Sequence, residues 1–80
     1  MSILSERLKE AREKRGLLQR EVEAKAGIAQ GMLSFYECGR GDPHVFTLSL
    51  LADALNVTTD YLLGRDDYDT GRIKKTNFRV

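Results

Sequence analysis

The side chains that most readily do covalent or metal chemistry are scarce in this chain of 80 residues, which has one cysteine, Cys38, and one histidine, His44. A His/Cys zinc site or a Cys-His nucleophilic pair needs partners at fixed spacing, and the carboxylates around these two residues do not supply it. Cys38 falls near the end of a helical segment, where the helix dipole disfavours a thiolate, so it reads as an inert thiol. His44 follows Pro43 at the start of another segment and reads as a loop or capping residue, with nothing beside it to build a pH switch. No metal, no cofactor and no enzyme activity is therefore expected. A single cysteine fits a reducing compartment, and neither a leader nor an apolar run long enough for a bilayer is apparent. A cytoplasmic protein with no membrane partner is the expectation.

What remains is the chemistry of charge and hydrogen bonding. The overall balance is only +1, from 13 Lys/Arg against 12 Asp/Glu, which is not that of a strongly basic nucleic-acid binder. Its distribution is more informative. Residues 1–40 carry eight basic and six acidic groups, residues 41–69 carry Arg65 against six Asp, and the last eleven carry Arg72, Lys74, Lys75 and Arg79 without an acid. A mildly basic front and an acidic back would orient a domain on a polyanion without gripping it strongly.

The elements that must position these groups are helices. With 41% hydrophobic and 31% charged residues, the chain has the composition of one folded domain. Ser2 is placed to cap a first helix in which Leu4, Leu8 and Ala11 recur at helical spacing, ending near Arg15 before Gly16. Glu10 and Lys14 add a four-residue pair on a charged face. A second segment, 19–26, puts Leu18, Val22 and Ala26 on one face and stops at Gly27. The third is read from Ala29 to Cys38, burying Leu33 and Tyr36. Gly41-Asp42-Pro43 forms a turn before a fourth segment, Val45 to Leu55, which Asn56 closes in the left-handed conformation. Thr58 caps a short fifth helix, Thr59 to Leu63. The only alternating pattern lies in the tail, Ile73 to Val80, so the fold class is all-α. We divide the chain into a domain, 1–64, and a C-terminal tail, 65–80, that is frayed or the stub of a dimerisation segment.

Two short helices joined by a tight turn at Gly27-Ile28 have the size of a helix-turn-helix, and a steep crossing lets the second project its outer face. From about Ile3 to Gly64 the chain resembles the phage repressor and Cro-like (xenobiotic-response-element type) helix-turn-helix family. The residues that carry the resemblance are Leu8, Arg12 and Gly16-Leu17, then Gln19, Val22, Ala26 and Gly27-Ile28, then Leu33, Tyr36-Glu37 and Gly39-Arg40. Asp42-Pro43, Thr47-Leu48, Leu51-Ala52, Leu55-Asn56-Val57 and Thr59-Asp60-Tyr61-Leu62-Leu63-Gly64 continue it. The resemblance implies a compact five-helix lambda-repressor-like domain that binds double-stranded DNA as a homodimer and regulates transcription, as a repressor. It implies that Gln19 touches a phosphate and braces the next helix, and that Gln30 reads a base. Ala29, Gly31, Ser34 and Phe35 are then the other groove-facing positions, and Arg40 a phosphate contact. Arg12 and Glu37 match a family ion pair, and Asn56, Val57 and Tyr61 match a pairing surface.

The chain also departs from that pattern. Leu18 and Ala29 stand where capping side chains are usual, each loss costing about 1 kcal/mol. Glu23 replaces a small residue, so the two helices splay or its carboxylate reaches solvent. Gly31 offers a base no side chain and, inside a helix, weakens it by up to about 1 kcal/mol. Phe35 and Met32 place apolar groups on or near a face that is usually polar; Phe35 suits a thymine methyl or a protein partner. The second function class, a helix-turn-helix module repurposed for protein binding in the manner of an antirepressor, would use an apolar patch of Leu18, Met32 and Phe35.

Overall fold

A computed structural model describes residues 2–65. The expected tail therefore lies, apart from Arg65, outside the described residues. Among the described residues there are five helices and no strand.

The first helix, α1 (Ile3–Lys14), starts where Ser2 and Ser5 bond reciprocally: Ser2 Oγ accepts the Ser5 N–H at 3.1 Å, and Ser5 Oγ donates to the Ser2 carbonyl at 2.8 Å. The second, α2 (Gln19–Ala26), has no side-chain cap from Leu18, but Glu21 reaches back and accepts the Leu18 N–H at 2.7 Å. Gly27 ends it at φ 74°, the left-handed region in which a Cβ is disfavoured. The fourth helix, labelled α4 once the short α3 (Met32–Glu37) is counted, runs Val45–Leu55 and closes on Asn56 at φ 56°. In α5 (Thr59–Leu62), Thr58 Oγ1 accepts the Tyr61 N–H at 3.0 Å.

One core joins them. Leu8, Val22, Leu33, Leu51, Leu55 and Leu62 are fully buried, one or more from each helix, with Tyr36 beside them. The second helix packs against α3 and α4, while α1 packs against α3 and α5. The fifth is further tied to α1: Arg7 donates to the Tyr61 carbonyl at 2.8 Å and lies over the Tyr61 ring, whose hydroxyl donates to Glu10.

The third helix corrects the sequence reading. It begins at Met32, not Ala29, so Ala29, Gln30 and Gly31 belong to the turn, and the residue at the cap position is Gly31 rather than Ala29. Gly31 sits at φ 90° and ψ −15°, which lies off the right-handed helical path and is strained for any residue with a Cβ. Gly31 is thus a conformational requirement of the turn rather than a weak point inside a helix. Gly31→Ala is expected to lower stability by about 1–2 kcal/mol, the cost of a left-handed residue. Nothing lies within 4 Å of the added methyl, so the loss is conformational, and a urea titration measures it as a lower midpoint at unchanged slope.

Candidate nucleic-acid interface

A six-residue helix has no stability of its own, so α3 must be held from outside. Its C-terminal end is held by Glu37. Arg12 from α1 forks onto that carboxylate, with Nε at 2.8 Å from Oε2 and Nη2 at 3.2 Å from Oε1. Gln19 Nε2, at the start of α2, donates to the same Oε1 at 3.0 Å. The third Arg12 nitrogen donates to the Leu17 carbonyl at 3.0 Å, fixing the α1–α2 connection to the same cluster. The Glu37 side chain is 4% exposed and that of Arg12 14%, so the pair is largely desolvated. The Glu37 bond raises the Arg12 pKa above its ordinary value, and burial opposes it only in part.

Glu23 holds the other end. Its Oε2 accepts the Gly31 N–H at 2.9 Å and the Leu33 N–H at 3.1 Å, while its backbone carbonyl accepts from Gly27 at 2.8 Å and Ile28 at 3.1 Å. The residue is 6% exposed. The expectation that Glu23 splays the helices or turns to solvent is therefore corrected. Its carboxylate replaces the missing cap, because the first-turn N–H groups of α3 are orphan donors at the positive end of a dipole.

With α3 held in this way, the remaining candidate residues fall into distinct groups. Gln30 and Gly31 are exposed and line one open groove with Leu18, Gln19, Arg20 and Glu23. Among the described residues the Gln30 amide has no hydrogen-bond partner, whereas the Gln19 nitrogen is committed to Glu37. Ala29 is exposed in the turn, and its carbonyl accepts the Met32 N–H at 3.2 Å. Ser34 is half-buried and Arg40 exposed. Phe35 is 39% exposed, edge-on to Tyr36, and its ring covers Gly41 so closely that a Cβ there would stand 2.6 Å from Cε2. Met32, expected on or near the outer face, packs instead against the core. The expected apolar patch around Phe35 thus loses one of its three members. Larger apolar exposure lies on α4, at Phe46 (82%), Val45 (74%) and Leu50 (45%), which the sequence reading passed over because a buried Leu48 and Leu51 satisfied the same helical pattern. Asn56 is exposed, Val57 and Tyr61 are half-buried, and the last two line a groove with Ala11, Lys14 and Arg15.

Arg20 and Glu23 are the groove residues that the sequence reading did not assign. For Arg20 a signal existed, since it follows Gln19 at the exposed start of α2. For Glu23 the signal was its departure from the small residue usual at that position, which marks the site without saying what the carboxylate touches.

The family model described as helix-turn-helix matches residues 8–62. The chain belongs to the phage repressor and Cro-like helix-turn-helix family. Three curated relatives are similar to this helix-turn-helix chain. The HTH-type transcriptional regulator ImmR of Bacillus subtilis is 48% identical over 64 residues, 80% of this chain and 50% of its own length. The HTH-type transcriptional regulator DdrOP3 of Deinococcus deserti is 40% identical over 60 residues, covering 75% of this chain and 46% of itself. The SPbeta prophage-derived regulator YonR of Bacillus subtilis is 36% identical over 61 residues, 76% of this chain and 56% of itself. The chain spans about half the length of these relatives. Among the described residues of this helix-turn-helix protein, no group of three or more His, Cys, Asp or Glu could hold a metal ion. No described helix is long and apolar enough to cross a membrane.

Proposed function

We propose that this chain is a sequence-specific DNA-binding regulator of transcription, a repressor, that lays α3 and the turn before it in the major groove. The observation that carries the reading is that Gln19 and Gln30 line one groove, with α3 held at both ends and the Gln30 amide unpartnered among the described residues. A free primary amide on a rigid element can donate to N7 and accept from N6 of adenine as a bidentate pair. Gln19, Arg20 and Arg40 then serve phosphates, which position the domain without reading sequence. Three relatives bear the printed description of transcriptional regulator, which supports the same class of role.

A single domain of 64 residues reads too few bases for tight specificity, so the active species is a homodimer on half-sites about 34 Å apart, paired through Asn56, Val57 and Tyr61. Selection of duplexes from a random pool at low salt tests the reading. Enrichment of a two-fold symmetric motif is the expected result; no enrichment by fully helical protein overturns it. Within that motif, Gln30→Ala is expected to weaken specific binding by about 1–3 kcal/mol and leave random duplex binding unchanged. Equal loss on both duplexes would remove Gln30 from base reading. The second reading, a module that binds protein, is favoured by one observation, the exposed Phe46 and Leu50 four residues apart on α4. A null selection combined with capture of a protein partner that Phe46→Ser abolishes would establish it.

A further inference from the structure

The geometry points to Glu23 as the positioning residue that sets sequence specificity, an inference that rests on the DNA-binding reading above. Four backbone N–H groups converge on this one residue: Gly27 and Ile28 on its carbonyl, Gly31 and Leu33 on its carboxylate. These are the amides that define the path of the chain from the end of α2 to the first turn of α3. A cap supplied by the turn itself would commit a side chain at 29–31 to the backbone. Here the acceptor comes from α2, eight and ten residues back, and the turn residues are released from that duty. With that duty met, the Gln30 amide has no partner among the described residues, and a glycine with no capping side chain can occupy position 31 at positive φ. Glu23 also lines the groove with Gln19, Arg20 and Gln30, so its negative charge opposes phosphates there. Position and charge therefore separate by substitution: the acceptor oxygen sets which sequence is read, and the charge only subtracts from affinity for any duplex.

Three variants of the full chain distinguish these effects. Glu23→Gln keeps the reach and an acceptor oxygen. It is expected to enrich the wild-type motif, to hold the ratio of specific to random duplex binding within about threefold, and to bind both duplexes at least as tightly. Glu23→Asp keeps the charge but withdraws the oxygen by about 1.5 Å, one carbon–carbon bond. Glu23→Ala removes it. Both are expected to lower that ratio about tenfold or more, as when one good base contact is lost, and to blur the motif at the positions nearest the turn. A merely structural role would reduce the active fraction for both duplexes equally, leaving motif and ratio as in the wild type. That result in a helical Glu23→Ala or Glu23→Asp overturns the proposal. So does a loss in Glu23→Gln as large as in Glu23→Ala, or unfolding of both Asp and Ala variants, which would assign Glu23 to stability alone. Wild-type protein that enriches no motif overturns the DNA-binding reading itself, and this role with it.

Discussion

Glu37→Ala is expected to lower the free energy of unfolding by about 3–5 kcal/mol, the cost of leaving a buried charge without its partner. The substitution strands the Arg12 guanidinium, whose three nitrogens now serve Glu37 twice and the Leu17 carbonyl once. It also releases Gln19 from its bond to the same carboxylate. Urea denaturation followed by circular dichroism measures the loss. The double variant Arg12→Met, Glu37→Leu is expected to recover most of it, because a buried ion pair and an apolar pair of similar volume are often equal in stability. A double variant as unstable as the sum of the single ones would show that the two residues act independently. The raised Arg12 pKa sets the sign of any pH effect. A cation whose pKa rises on folding stabilises fully below its unfolded value and loses that stability only as pH climbs through the folded value. For an arginine this window lies beyond ordinary alkaline pH, so the guanidinium's contribution stays flat across the neutral range.

Leu33→Ala is the second large effect, a loss of about 2–5 kcal/mol from transfer and cavity terms together. Leu33 is fully buried, and its own N–H is one of the two that the Glu23 carboxylate holds. Helix α3 is only six residues long and owes its position to Leu33, Tyr36 and the two buried carboxylates. Removing the leucine anchor is therefore expected to accelerate amide exchange in α3 more than in α1, whose twelve residues and Ser2 cap sustain it better. Equal acceleration in the two helices would mean that the domain opens only as one unit.

The same contrast between α1 and α3 explains how much of the molecule was legible in advance. The bounds of α2 and α4 agree with the spacing of Val22 and Ala26, and of Leu48, Leu51 and Leu55, because a buried stripe at helical period is a strong signal. The start of α3 was misplaced by three residues, since Ala29-Gln30 reads as helix-compatible and Gly31 as a mere blemish. The convergence of Gln19, Arg12 and Glu37 was suggested by family resemblance alone, as residues 18 and 25 apart leave no periodic trace. The exposure of Phe46 was invisible for a related reason. An apolar residue at the end of a helix looks like core until its neighbours are known.

Order, number and most ends of the helices were determined by the sequence itself, because Ser2, Thr58, Gly27 and Asn56 act on backbone groups within four residues of themselves. Such local interactions need no knowledge of the rest of the chain. Only the tertiary structure decided where the third helix begins, which amide is left free beside it, and that Glu23 supplies its cap. The acceptor and the donors lie on different helices, and whether a buried carboxylate is a fault or a cap depends on which N–H groups folding brings within 3.1 Å of it.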